Sequence, residues 1–183
     1  MFRQNELDQK LKIHMNRNQF TSKEFFNALN ITFLSLIFGQ IFFAVIAIFL
    51  NINGSMSFDL QDTKFTFLLI AIISAFAAIY GGNYFFRLKL QNAKQAPSLY
   101  NKLVEYRAAC IAKWAILETP SFFAIIGYFL TADMTFLIIT IAIISFFLMN
   151  RPGPEKTCVE LELDDQHKFL VLDPDSIISE GDM

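Results

Sequence analysis

Four runs of apolar residues, separated by polar segments, set the pattern of this chain. They cover roughly residues 27–50, 65–86, 108–130 and 134–149. A helix needs about 20 mostly apolar residues to cross a bilayer, so the first three runs are long enough and the fourth is short. The fourth must borrow residues 131–133, tilt little or lie where the bilayer is thin. The pattern predicts an all-α integral membrane protein with four transmembrane helices.

The first and third runs share identical residues at a spacing of eighty positions. The identities pair Ala28, Ile31, Phe42, Phe43, Ala44, Ile46, Phe49 and Leu50 with Ala108, Ile111, Phe122, Phe123, Ala124, Ile126, Phe129 and Leu130. The apolar runs that follow each copy also match, most clearly over residues 70–74 and 141–145. These matches predict two tandem transmembrane hairpins, 21–86 and 108–150, related as parallel repeats.

Basic residues lie before the first apolar run, between the second and third, and after the fourth. They are Arg3, Lys10, Lys12, Arg17 and Lys23, then Arg87, Lys89, Lys94, Lys102 and Arg107, then Arg151 and Lys156. The other two loops hold only Lys64, so the positive-inside rule predicts that both termini are cytoplasmic. A polar arm (1–20), a helical connection (87–107) and an acidic tail (151–183) would then lie in the cytoplasm. The predicted location is the inner membrane of a bacterium.

Local signals predict where several helices begin and end. The stretch from Thr21 to Glu24 has the form of a capping box, which predicts that the first helix begins there. The second helix is expected to continue past the membrane to Lys94 and to end at a turn around Pro97. Residues 131–133 form a tight connection, which predicts that the third and fourth helices are antiparallel neighbours.

The acidic tail is predicted to contain a break after the fourth helix, a short helix and an apolar end. Proline and glycine chemistry at 150–154 predicts an abrupt end to the fourth helix. A short helix is expected from about Asp164 to Leu172. Ile177 and Ile178 are expected to pack back on the cytoplasmic hairpin, and the alternative is that the tail is a partner-binding peptide.

Composition excludes several classes of function. More than half of the residues are apolar, and 22 of the 183 are Phe, which is typical of a membrane protein. No set of His, Cys, Asp and Glu has metal-ligand spacing, and no phosphate loop or nucleophile motif is present. The few scattered basic residues do not indicate nucleic-acid binding. We therefore predict no catalytic residue, no metal site, no cofactor and no nucleic-acid partner.

One carboxylate interrupts the third apolar run. Glu118 stands where the first copy of the repeat has Phe38. A charged side chain at the centre of a spanning helix costs about 2.5–3.5 kcal/mol, so such residues usually face a cavity, a partner or the bundle interior. Pro120 bends the helix nearby. Thr119 and Ser121 can supply hydroxyls to the carboxyl, and Gln40 lies at a similar depth on the first helix and can hydrogen-bond it. The group is interpreted either as a buried carboxyl that fixes helix packing or as part of a proton or cation carrier.

Two further groups could contribute to such a site. Lys113 lies five residues before Glu118, on a different helix face, and is expected to extend to the membrane interface. Gly81, Gly82 and Asn83 are predicted to form a packing seam between helices, because small residues allow close approach. The alternative is a hinge at the two glycines.

The third apolar run carries a resemblance to known proteins. Residues Arg107, Lys113, Trp114, Glu118, Pro120 and Gly127 resemble a group of small four-span bacterial inner-membrane proteins of unknown function. A duplicated hairpin with one mid-membrane carboxylate is also faintly similar to the proteolipid subunits of rotary ATPases. However, Glu118 lies on the first helix of its hairpin, glycines are few and bulky Phe residues are many. The resemblance therefore does not imply a rotor ring.

The expected function follows from these observations. The chain is predicted to be non-enzymatic, an accessory or scaffold component of an inner-membrane assembly. Its partners would be the lipid bilayer and another membrane protein or a second copy of itself. The alternative is a proton- or ion-coupled carrier or channel element that uses Glu118.

Overall fold

The computed structural model describes residues 19–54 and 63–179, and these are almost entirely helical. The helices are α1 (Ser22–Ile52), α2 (Lys64–Lys94), α3 (Leu99–Thr131), α4 (Met134–Met149), α5 (Pro154–Glu160) and α6 (Asp165–Leu172). Two short strands, β1 (Gln19–Thr21) and β2 (Ile177–Ser179), pair antiparallel. Most of the polar arm predicted at 1–20 lies outside the described residues.

Within residues 19–54 and 63–179, three helices are long and apolar enough to cross a membrane. These are α1, α2 and α3, and the number rises to four only if α4 and α5 are counted as one bent span. The prediction of an all-α protein of membrane character is therefore confirmed at this level. The shortness of the fourth apolar run persists in the structure, where α4 has only 16 residues.

The helix boundaries follow the predicted local signals. The backbone N–H of Glu24 donates to Thr21 Oγ1 at 3.2 Å, and the N–H of Thr21 donates to Glu24 Oε2 at 2.9 Å. The predicted capping box is therefore confirmed. Helix α2 continues to Lys94, as predicted, and the N–H of Asn101 donates to Ser98 Oγ at the start of α3.

The connection between α3 and α4 is as tight as predicted. Ala132 adopts a positive φ of 54°, and Asp133 caps α4 by accepting a hydrogen bond from the N–H of Thr135 at 2.8 Å. Just inside the turn, Gly127 of α3 lies against the ring of Phe136 in α4. The two helices are therefore antiparallel neighbours.

The described residues divide into two compact bodies. The first, which we call the tail body, combines the described parts of 1–29 and 152–183 with residues 89–108. The second, which we call the helix body, comprises the described parts of 30–88 together with 109–151. Each body has its own buried apolar residues.

The tail body is held together by the C-terminal segment. The N–H of Ser22 donates to the carbonyl of Ser176 at 3.1 Å, and the N–H of Lys23 donates to the carbonyl of Pro174 at 3.0 Å. The tail therefore satisfies two backbone donors at the start of α1 that have no partner within the helix. Tyr106 donates its hydroxyl hydrogen bond to Glu160 at 2.6 Å, which joins α3 to α5.

The structure departs from the sequence reading of the tail in three places. Helix α6 begins and ends as predicted, but α5 and the β1–β2 pair were not predicted. Pro154 at the start of α5 is the signal that was missed, because proline is favoured at the first helical position. Ile178 is buried, whereas Ile177 is exposed, since neighbouring residues of a strand point to opposite faces.

Candidate functional site

Helix α3 carries most of the residues predicted to form a site, and it is the most enclosed of the long helices. Half of the residues in its most apolar stretch are buried, compared with 22% for α1 and 17% for α2. Its buried residues include Trp114, Leu117, Ser121 and Ile125. Polar groups on α3 are therefore the ones with the most protein around them.

Glu118 is half-buried on α3. Within residues 19–54 and 63–179, it makes no hydrogen bond and no ion pair. Thr119 is exposed and donates its hydroxyl to the carbonyl of Ala115 at 3.0 Å, within its own helix. Pro120 is buried but has no side-chain polar group. The predicted cluster around the carboxyl is therefore not assembled.

Gln40 does not bond Glu118, contrary to the prediction. Its side chain is 0% exposed, and neither Oε1 nor Nε2 has a hydrogen-bond partner within residues 19–54 and 63–179. Ser121 is also fully buried, and its Oγ has no partner. The prediction rested on the similar depth of Gln40 and Glu118 along their helices. Depth alone does not show whether the two side chains face each other.

Thr140 is a further buried polar residue of the helix body that the sequence did not predict. Its hydroxyl donates to the carbonyl of Phe136 at 3.0 Å, one turn earlier in α4. A threonine in an apolar run gives no sequence signal of its own, because bonding to the preceding turn satisfies the hydroxyl in any helix.

Lys113 is buried, and its ammonium group is bound within the helix body. Its Nζ donates to Asn150 Oδ1 at 2.8 Å and lies 4.9 Å from the centre of the Phe86 ring. Asn150 in turn donates through Nδ2 to the carbonyl of Phe146 at 2.9 Å. The ammonium group is therefore held by an amide and an aromatic face, a cation–π geometry, at the end of α4.

The predicted packing seam is reduced to one glycine. Gly82 is buried, and a Cβ placed there would meet Ile116 at 3.6 Å and the carbonyl of Lys113 at 3.7 Å. Gly81 is exposed and has nothing within 4 Å, and Asn83 is half-buried. Gly82 therefore marks where α2 lies against α3, although a Cβ there would make only ordinary van der Waals contacts.

An apolar cleft of about 200 Å³ lies between α2, α3 and α4. Its lining comes from ten residues, Ile72, Ala75, Phe76, Ile79, Leu117, Pro120, Ile139, Ala142, Ile143 and Phe146. None of these side chains is polar. The cleft therefore has no group that could hold an ion, and its chemistry suits hydrocarbon.

An electrostatic contact joins α2 to the turn that begins α4. Lys64 forms an ion pair with Asp133. Hydrogen bonds from Lys64 and Thr135 lower the pKa of Asp133 to about 2. Nearby, Asn51 at the end of α1 donates to the carbonyl of Tyr128 in α3 at 3.1 Å. This end of the helix body is therefore tied together by polar contacts.

Comparison with known proteins gives no relative. No family model matches the chain, and neither a curated protein nor a solved structure does. In the part of the chain that the structure describes, no three His, Cys, Asp or Glu residues are placed to hold a metal ion.

Proposed function

We propose that the protein is a non-enzymatic integral membrane protein that serves as an accessory or scaffold component of a bacterial inner-membrane assembly. It would cross the membrane four times as two tandem hairpins, with both termini in the cytoplasm. Three to four suitable helices and the distribution of basic residues support this topology. The partner would be another membrane protein or a second copy of this chain.

Contacts between α1 and α3 support the tandem arrangement. The ring of Phe33 lies 5.1 Å from that of Trp114, and the ring of Phe43 lies 5.5 Å from that of Phe122. The residue numbers differ by 81 and 79, close to the spacing of eighty in the sequence matches. Corresponding helices of two parallel repeats would meet in this way, at similar levels and in the same direction.

The observation that carries the scaffold role is an apolar ridge on the tail body, formed by Phe169 and Leu172. The two residues are three positions apart on α6, so they share a face. Phe169 is 70% exposed and Leu172 is also exposed, whereas Val171 between them is buried. Helix α6 is thus anchored by one side while it presents large apolar side chains on the other. Adjoining exposed apolar side chains mark contacts with another protein or with a membrane.

Charge around the ridge favours a protein partner over a lipid surface. Asp165 is fully exposed one turn before Phe169 and pairs with Lys168. Asp175 is exposed just after the helix, so the segment still carries more carboxylates than cations, with Asp164, Asp165, Asp173 and Asp175 against Lys168. Acidic groups are repelled by the anionic cytoplasmic leaflet and by nucleic acid. The surface therefore fits an apolar groove on a protein that is bordered by Lys or Arg.

The test is a pair of charge substitutions in native membranes. We expect Phe169→Glu to weaken the complex seen by native electrophoresis at least about tenfold, because a central aromatic anchor usually dominates an interface. Val104→Glu is the matched control, since Val104 is an exposed apolar residue of the tail body outside the ridge. Equal complex formation by both variants, or a single-chain species in the unmodified protein, would contradict the scaffold role.

A second candidate function is a proton- or ion-coupled carrier that uses Glu118. It is favoured by the placement of this half-buried carboxyl on the most enclosed long helix, with no bonding partner among the described residues. The carrier role predicts that Glu118→Gln abolishes ion or proton flux in proteoliposomes but leaves assembly intact. The scaffold role predicts that this variant assembles normally and that the unmodified chain shows no flux to lose.

A further inference from the structure

Three polar residues buried in the helix body, apart from Lys113, have a regular placement. The ring of Phe33 in α1 contacts both Trp114 in α3, at 5.1 Å, and Phe147 in α4, at 5.0 Å. Gln40 follows Phe33 by seven residues, Ser121 follows Trp114 by seven, and Thr140 precedes Phe147 by seven. Each of the three helices thus carries a buried polar residue seven positions from its ring in the Phe33, Trp114 and Phe147 cluster.

Helix directions place these three residues at one level. Because α1 and α3 meet again at Phe43 and Phe122, they are parallel, and the turn at 131–133 makes α4 antiparallel to α3. Seven residues are about two turns, or about 10.5 Å, so each step stays on the same helix face. Moving seven residues forward in α1 and α3 and backward in α4 therefore reaches the same level.

The next step along the helices supports the same register. A further seven residues lead to Ala47 in α1 and Tyr128 in α3, and these two belong to one buried apolar cluster. The helices therefore remain in contact on both sides of the polar level. We call Gln40, Ser121 and Thr140 the polar layer.

The polar layer has hydrogen-bonding capacity that the protein does not use. The amide of Gln40 offers two donors and an acceptor, and the hydroxyl of Ser121 offers a donor and an acceptor. None of these atoms has a hydrogen-bond partner in the part of the chain that the structure describes. Thr140 uses its donor within α4 but keeps its oxygen lone pairs as acceptors. Buried polar groups left in this condition are strongly unfavourable, which is why ordered water commonly satisfies them.

We propose that the polar layer is a binding site for water, held between α1, α3 and α4. A water molecule can accept from the Gln40 amide and donate to its carbonyl oxygen or to Thr140. Ser121 completes the set with a hydroxyl that can donate or accept. The two to four polar partners that a buried water needs are thus present on three separate helices.

This site has a consequence for Glu118. Ser121 follows Glu118 by three residues, a spacing that places two side chains beside each other on a helix. Water held by Ser121 is therefore within reach of the carboxyl, which has no bonded partner among the described residues. The inference does not depend on the scaffold role, because it concerns only the interior of the helix body.

The first experiment is nuclear magnetic resonance on the full chain in nanodiscs, with the Gln40 side-chain amide labelled with ¹⁵N. We expect a cross-peak between its amide protons and water, and we expect Ser121→Ala to remove or strongly weaken it. Ser74→Ala is the control, because Ser74 lies on α2 and bonds the carbonyl of Ala71 in its own helix. A Gln40 amide with no contact to water in the unmodified protein would overturn the proposal.

The second experiment is a double-mutant cycle with Gln40→Leu and Ser121→Ala, followed by reversible unfolding. If water joins the two residues, the unfolding constant of the double variant should depart by more than about twofold from the product of the single effects. The cycle with Ser74→Ala should be additive. Additive effects at Gln40 and Ser121 would contradict a shared water. Non-additive effects at Gln40 and Ser121 without a cross-peak to water would indicate a direct hydrogen bond between the amide and the hydroxyl. That result would also overturn the proposal.

Discussion

Helices α1 and α3 share a sequence pattern but have different surroundings. Phe38 of α1 is 70% exposed, whereas Glu118, eighty positions later, is half-buried. Ala44 is partly exposed, but Ala124 is fully buried. The difference arises because α3 packs against three other helices of the helix body, whereas α1 leaves much of its surface uncovered. A repeated sequence therefore does not give its two copies the same environment.

The largest expected effect comes from removing the aromatic contact on the enclosed helix. Trp114→Ala should lower the free energy of unfolding by about 3–5 kcal/mol, because it leaves a large cavity beside Phe33. Phe38→Ala on α1 should have little effect, since that ring is exposed. Reversible unfolding in nanodiscs would measure both. Similar losses for the two variants would mean that α1 and α3 are equally enclosed.

Placing a carboxylate at Phe38, or an aromatic ring at Glu118, tests whether the two corresponding positions differ in their surroundings. Phe38→Glu should disfavour membrane insertion by about 2.5–3.5 kcal/mol, because it places a carboxylate on an exposed apolar surface. Glu118→Phe should not disfavour insertion. An insertion assay that compares the modified segments in their own chain gives both values. If Phe38→Glu inserts as readily as the unmodified chain, the exposed face of α1 is not facing lipid.

Glycines on the two helices should respond to the same substitution in opposite directions. Gly127→Ala on α3 should destabilise by about 1–3 kcal/mol, since its Cβ would lie 2.6 Å from the buried ring of Phe136. On α1, a Cβ added at Gly39 would have nothing within 4 Å. Gly39→Ala should therefore be neutral or stabilise the fold by up to about 1 kcal/mol, because alanine favours the helix. Unfolding midpoints of the two variants would decide the matter, and a stable Gly127→Ala would show that Phe136 can move.

The smallest expected effect concerns the cap of α4. Asp133→Asn should cost about 0.5–2 kcal/mol, through loss of charge on the cap and of the Lys64 ion pair. Because the pKa of Asp133 is lowered to about 2, ionised Asp133 stabilises the fold fully above pH about 4. That contribution is lost as the pH falls towards 2. The free energy of unfolding of the unmodified chain should therefore decline between about pH 4 and about pH 2, and the Asp133→Asn variant should lack this decline.

Local sequence signals were sufficient for most of the secondary structure. The capping box at Thr21, the turn near Pro97, the tight connection at 131–133 and the helix that ends at Leu172 all lie where they were predicted. Each depends on hydrogen bonds or backbone geometry within a few residues, so neighbouring sequence decides it. The strands β1 and β2 were missed because their pairing joins residues about 160 positions apart.

Side-chain partners were predicted less well than helices. The bond from Lys113 to Asn150 was not predicted. Gln40 was expected at Glu118, but it is buried and has no hydrogen-bond partner among the described residues. Hydropathy gives the depth of a residue along a helix, but it does not say which neighbouring helix its face meets. A shift of one or two positions changes the direction of a side chain by 100° or more.

The sequence by itself determined the apolar helices, their local ends and the presence of one carboxylate within an otherwise apolar run. Hydrophobic length and short-range hydrogen bonds are sufficient for these features. Only the tertiary structure decided that α3 is the enclosed helix and that Gln40, Ser121 and Thr140 share a level. It also decided that the acidic tail packs against the start of α1. These features depend on which faces pack together, and that packing is set by contacts between residues far apart in the chain.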